Sequence, residues 1–151
     1  MDIFTEKLEA FFVEFGAGRK MVLSTCENGK PSSRMMSVVR IGGEFFFQTD
    51  VTLRKYRQLT ACPNAALCID NIQIEGSCAE LGRPRDNAAF CEAFRQCFRG
   101  SFDAYTSLEN ERLFVLRPSF IERWVYVGKT PFIEVFDLSA REYSFTEYKG
   151  V

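Results

Sequence analysis

The sequence contains no histidine. That removes the commonest general base, the commonest metal ligand and the usual partner of a nucleophilic serine or cysteine. Any chemistry must come from carboxylates, lysine, arginine, tyrosine, cysteine or a bound cofactor. An excess of charge is also missing: nineteen basic residues face twenty acidic ones, for a net charge of −1. Broad nucleic-acid binding needs a basic face to neutralise phosphates, so no nucleic-acid partner is expected, while a local basic pocket stays open. Long apolar runs are absent, so no segment is expected to span a bilayer. The start, MDIFTEKLEA, is acidic and amphipathic. It lacks the basic opening and small-residue cleavage site of a signal peptide, and the expected location is the cytoplasm. The six cysteines, at 26, 62, 68, 78, 91 and 97, form no Cys-x-x-Cys pair. No metal site is therefore expected. Several of these thiols fall at apolar positions of candidate strands or helices, where they read as small reduced hydrophobes rather than a disulfide framework.

What is present is enough apolar material for one domain over residues 1–151: 46% of the chain is hydrophobic and 26% charged. Ile3, Phe4, Leu8, Phe11, Phe12 and Phe15 recur at helical spacing, with Asp2 as a cap and Gly16 as a stop. The stretch from 20 to 49 reads as three antiparallel strands joined at Asn28-Gly29 and Gly42-Gly43. A short helix follows over 52–60. Two more strands, NAALCID and IQIEGSCAEL, turn at Asp70-Asn71. A second long helix carries Phe90 and Phe94, with Asp86 as its cap and Gly100 at its end. RLFVLRPSFIERWVYV predicts a sixth strand, a break at Pro118, and a seventh strand. The polar, aromatic tail from Phe136 onward has no assigned element. Six or seven short antiparallel strands with a few helices give an expected fold class of α+β, with a sheet that curls into a barrel.

One strand departs from simple alternation. Met35, Ser37, Val39 and Ile41 share one face of residues 34–41, and Arg34, Met36, Val38 and Arg40 the other. Bulky apolar groups on both faces predict that the second face is covered too, by a helix, a ligand or another subunit. Phe45 and Phe47 likewise oppose Phe46. Past that hairpin, Arg54 and Lys55 begin a short helix, whose first turn offers free N–H groups and the positive end of its dipole. Arg34 lies toward the same end of the hairpin, and Thr49 supplies a hydroxyl. Three cations there can hold a phosphate, with a flat heterocycle against the strand edge and Met35, Met36 and Val38 as soft walls. The same residues also read as a solvated Arg-Lys face, a surface Arg34 paired with a glutamate, and methionine core filler.

The order of SRMMSVV, then EFFFQTDVTLRKYRQLTACPNAAL, then NIQIEG and LRPSFIERWVY resembles the pyridoxamine 5′-phosphate oxidase-like family of FMN-binding split barrels, over residues 20 to 127. The resemblance implies an α+β fold built on a six-stranded antiparallel split β-barrel of Greek-key type with flanking helices, and a homodimer with FMN in a groove between the subunits. It places Arg34, Arg54 and Lys55 on the phosphate. Met35, Met36, Ser37 and Val38 lie along the isoalloxazine and ribityl chain, and Gln48 and Thr49 beside ring and phosphate. Asn71 stands where the family often has Gln and reaches the flavin from the other subunit; Trp124 flanks the ring or is structural. Three features depart from the pattern. Leu53 replaces a frequent Ser before the basic pair, Val39 replaces a substrate-facing Lys, and REYSFTEYKGV has no Arg-x-His segment. The vitamin B6 oxidase activity itself is therefore not expected, and the chain looks more like the short general-stress and nitroimidazole-reductase relatives. The implied function is an FMN-dependent oxidoreductase passing electrons or hydride to a small-molecule acceptor, with NAD(P)H as candidate donor. The alternative is a flavin- or haem-binding stress or sensor protein without turnover. No catalytic side chain is assigned; Tyr56, Tyr126 and the cysteines are candidates by elimination only.

Overall fold

The computed structural model describes residues 1–150. In chain order the elements are α1 (Ile3–Phe15), β1 (Gly18–Glu27), β2 (Lys30–Ile41), β3 (Glu44–Asp50), α2 (Arg54–Ala61), β4 (Asn64–Ile69) and β5 (Ile72–Glu80). A short 3-10 turn (Pro84–Asp86) leads to α3 (Ala88–Cys97), α4 (Arg99–Tyr105), β6 (Glu111–Val127), β7 (Thr130–Asp137) and β8 (Glu142–Glu147). The strands run β3-β2-β1-β4-β5-β6-β7-β8, and β3 also pairs with β6. That last pairing closes β1 to β6 into a six-stranded antiparallel barrel, with β7 and β8 continuing the sheet outside it. The expected α+β split barrel is the fold. Among the described residues no helix is long and apolar enough to cross a membrane.

The hairpins form where the turn chemistry puts them. Asn28 and Gly29 both take positive φ (52° and 75°), as a two-residue hairpin turn requires, and join β1 to β2. Asp70 does the same at 51° between β4 and β5. Asp2 caps α1, its carboxylate accepting from the Thr5 N–H at 2.8 Å. The helix lays Phe4, Phe11 and Phe15 into the barrel core, where Phe15 meets Phe45 edge-on and Phe11 and Phe4 meet Phe136. Burial of each such ring contributes on the order of 2–3 kcal/mol. Phe45 and Phe47 share that core, whereas Phe46 turns outward to Val39, Phe90 and Phe94. The second apolar face of β2 and β3 is thus covered by α3.

Three expectations are corrected. The cap of α3 is Asn87, which accepts from the Phe90 N–H at 2.9 Å, not Asp86. Gly100 does not end the helical segment, because α4 starts at Arg99. Pro118 does not break the sixth strand. β6 is continuous, and the missing N–H is absorbed by a bulge in which Glu75 faces Phe120 and Gly76 faces Pro118. A Cβ on Gly76 would lie 2.3 Å from the Arg117 carbonyl, so the bulge depends on that glycine. The unassigned tail ends β7 and forms β8. All six cysteines are free thiols, and Cys78, buried in the core, is pushed up to about 12 by desolvation.

Candidate functional site

The barrel is split between β2 and β3. These strands pair only at Val39–Phe46, Arg40–Phe45 and Ile41–Glu44. Beyond that point β2 stays on β1 and β3 stays on β6. The diverging edges keep backbone groups of residues 34–38 unpaired on the β3 side. Between them lies a cleft of about 370 Å³, within the range of roughly 300–1,000 Å³ usual for small-molecule sites. Met35, Met36 and Ser37 line it from β2, and Gln48, Thr49 and Asp50 from β3. Leu53 and Lys55 come from the start of α2, Phe94, Ser101 and Tyr105 from α3 and α4, and Glu111 from the start of β6.

Its polar end is positively charged and under-compensated. Arg34 is half-buried, and its guanidinium donates to neutral acceptors: the Leu23 carbonyl (3.1 Å), Thr25 Oγ1 (2.9 Å) and Gln58 Oε1 (2.6 Å). Burial, then the charge of Arg54, lowers its pKa. Arg54 donates to Ser32 Oγ at 3.1 Å. Lys55 is held down first by desolvation and then by Arg34, with Glu111 pulling the other way. Most arginines of the protein meet a carboxylate within 4.0 Å; among the described residues Arg34, Arg40 and Arg54 do not, and neither does Lys55. Arg40 lies away from the cleft and donates to the Gly16 and Gly42 carbonyls instead. Beside them Thr49, 2% exposed, has a hydroxyl with no hydrogen-bond partner. No side chain caps α2, because Leu53 occupies the N-cap. The first-turn N–H groups and dipole stay available to an anion.

The sequence-predicted residues fall into three places. Met35, Met36, Ser37, Gln48, Thr49 and Lys55 line the cleft. Arg34 and Arg54 do not line the cleft; Arg34 is held by Leu23, Thr25 and Gln58, and Arg54, the first residue of α2, by Ser32. Val38 is buried inside the barrel rather than in the cleft. Asn71 and Trp124 lie together elsewhere, the Asn71 amide donating to the Trp124 carbonyl at 2.7 Å, with Trp124 37% exposed. Within one chain they are not brought to the cleft. Tyr56 donates to Glu80 at 2.6 Å instead of facing the cleft, and Tyr126 is exposed beside Trp124. No cysteine lines the cleft.

Sequence reasoning missed four contributors. Gln58, 3% exposed, accepts from both Arg34 and Thr25 and donates to Ser32, so it fixes the basic cluster. Its spacing of four from Arg54 was the available signal. Ser101 and Tyr105 wall the cleft from a helix that local spacing did not resolve. Glu111 enters from β6, brought opposite Asp50 by a long-range pairing. Burial and Asp50 raise Glu111 to about 6, against the pull of Lys55. Asp50 stays low because the Thr52 N–H and hydroxyl both donate to it.

Such a cleft can take a planar, partly apolar body along the free edge of β2 and an anion at the basic end. FMN fits on two observations: the orphaned Thr49 hydroxyl and the cations without carboxylates. The residues match a family model described as pyridoxamine 5′-phosphate oxidase over positions 4–125. Among solved structures the chain is similar to general stress protein 26 from Bacillus anthracis (19% identity, TM-score 0.58, covering 79% of this chain and 92% of that one). It is similar to a pyridoxamine 5′-phosphate oxidase-related, FMN-binding protein from Nostoc punctiforme (15%, 0.60, 97% and 93%). It is also similar to a heme-binding protein from Mycobacterium smegmatis (15%, 0.68, 93% and 60%). At these identities the likeness carries the fold. No curated protein matches the sequence.

Proposed function

This chain belongs to the pyridoxamine 5′-phosphate oxidase family, and we propose that within it the protein is an FMN-dependent oxidoreductase acting on a small-molecule acceptor. The observation that carries the reading is the convergence of Arg34, Arg54 and Lys55, none with a carboxylate partner, beside the unsatisfied Thr49 hydroxyl. Lys55, Thr49 and the α2 N-terminus would hold the phosphate, with Arg34 and Arg54 supplying field from behind. The open β2 edge would meet the polar rim of the isoalloxazine, and Met35, Met36 and Phe94 would exclude water from its faces. Flavin, when bound, supplies the hydride and electron chemistry that a chain without histidine cannot. We place the protein in a homodimer, in which Asn71 and Trp124 of the partner subunit would complete the cleft. Met35, 60% exposed at its rim, is an apolar side chain that such a partner would cover.

The vitamin B6 oxidase activity is not part of this proposal, since Val39 is buried against α3 and the tail forms an outer strand. Titration with FMN and riboflavin tests the binding. The double variant Arg54→Ala/Lys55→Ala is expected to weaken FMN about a hundredfold and riboflavin about threefold or less, as one charge-assisted contact to a phosphate and the field of a second cation imply. Equal loss for both ligands refutes the phosphate assignment. A Soret band in the purified protein, in place of flavin bands, would favour haem. Loss of the oxidised flavin absorption on anaerobic addition of NADH or NADPH distinguishes a turning-over enzyme from a passive carrier.

A further inference from the structure

Glu111 is a cleft carboxylate with no assigned role. The residue is 5% exposed, lines the cleft, and its side chain makes no hydrogen bond or ion pair among the described residues. The charges around it are few. Asp50 lies directly across the β3–β6 ladder, and its charge is fixed by Thr52. From α2 comes Lys55, the one cation lining the cleft, with Arg34 behind it. From α4 come Ser101 and Tyr105, which add hydroxyls. On β6 itself, Arg112 donates to the Glu109 and Glu111 carbonyls at 2.8 Å, approaches Glu80 at 3.8 Å and helps to keep Asp50 ionised, without pairing with the Glu111 carboxylate. Lys55 is therefore the one cation acting on Glu111 before any ligand arrives.

A phosphomonoester entering this end would compete with Glu111 for Lys55 and place more negative charge beside a buried carboxylate. Ionised, Glu111 repels it; protonated, Glu111 is a donor facing acceptor oxygens. We propose that Glu111 takes up a proton when a phosphate-bearing ligand binds and donates that O–H to a phosphate oxygen, making it a residue of the anion subsite and the binding proton-coupled. This rests on the reading that the cleft takes a phosphate. In the ligand-free protein, burial and Asp50 already hold Glu111 up to about 6. A bound anion raises it further. The sign follows: the bound form holds the extra proton, so affinity is highest below about pH 6 and falls as pH rises above it, until the bound form also ionises. The ligand's own second ionisation, near pH 6, acts the same way on every variant and cancels in a comparison between them.

The experiment is calorimetric titration with FMN, riboflavin and inorganic phosphate, in buffers of different ionisation enthalpy, on wild type and Glu111→Gln. Glutamine keeps the shape and the donor and cannot ionise. Wild type is expected to take up about half a proton through Glu111 with FMN and with inorganic phosphate at about pH 6.5, and none with riboflavin. Glu111→Gln is expected to lose that extra uptake and to bind FMN about tenfold more tightly than wild type near pH 8, a pKa difference of about one unit. Identical proton uptake and pH profiles in the two proteins would overturn the role of Glu111 while leaving FMN binding standing. Failure of both FMN and inorganic phosphate to bind wild type would overturn the phosphate site and this inference with it.

Discussion

Two arginines of this barrel sit in comparable depth and opposite company. Arg123, on the outer half of β6, reaches Glu14 of α1 and Glu134 of β7, and lies over the Phe11 ring at 5.4 Å. Tyr143 completes the set by donating to Glu134 at 2.7 Å. Every charge there has an opposite. Arg34, on the split edge of β2, meets only neutral oxygens, and its nearest charged neighbours are Arg54 and Lys55. The first cluster is complete without a ligand. The second is left positive: desolvation lowers the pKa of Arg34 and of Lys55, whereas at Arg123 the carboxylates override it. A buried charge that the protein neutralises is architecture; one that it leaves with like charges around it awaits something from outside.

The comparison breaks most readily at Glu134. Its side chain is 9% exposed and that of Arg123 is 16%. Glu134→Ala should destabilise the fold by about 3 kcal/mol, because it removes the buried partner of Arg123, leaving only the exposed Glu14, and deletes the acceptor of Tyr143. FMN affinity of the folded variant should stay within about twofold, by the independence of distant sites. Urea denaturation and flavin titration measure the two. A large loss of FMN affinity at unchanged stability would mean that the outer sheet, not the split edge, holds the ligand.

How much of this contrast could be read from the chain alone depended on sequence distance. Asn28-Gly29, Asp2 and the Phe45/Phe46/Phe47 alternation act within a few residues, and each did what its local chemistry dictates. The basic cluster was also legible, since Arg34, Thr49, Arg54 and Lys55 lie within one hairpin and its following helix. Pro118 misled because its tolerance rests on Gly76, forty-two positions upstream, where the absence of a Cβ lets the Arg117 carbonyl pass. Glu111 and Tyr105 escaped notice because only closure of β3 on β6 brings them to the cleft. The partners of Arg123 were hidden for the same reason, as Glu14 lies on the first helix and Glu134 on β7.

Arg34→Met tests the other side. Thr25 and Gln58 keep their own bond at 2.7 Å, and a buried cation is removed from beside Arg54. The expected destabilisation is about 1 kcal/mol, well below the effect at Glu134, since the lost bonds to neutral oxygens are partly offset by relief of desolvation and repulsion. FMN should weaken about tenfold or more while riboflavin changes little. A destabilisation as large as that of Glu134→Ala, with FMN and riboflavin affected alike, would make Arg34 a second structural cation and erase the distinction.

The smallest effect has the most informative sign. Thr49 Oγ1 is buried in the free protein without a partner, an arrangement that costs about 1–3 kcal/mol relative to an apolar group of the same shape. Thr49→Val keeps the volume and deletes the hydroxyl, so the ligand-free protein should become more stable, by up to about 1 kcal/mol after the loosening that the open cleft allows. The same change should weaken FMN several-fold, as the loss of one hydrogen bond of about 1 kcal/mol implies. The two shifts have opposite signs only if the hydroxyl is held in readiness for a ligand. A hydroxyl that merely satisfied the fold would lose stability on deletion and leave FMN untouched, and denaturation of the ligand-free protein beside one flavin titration separates these outcomes.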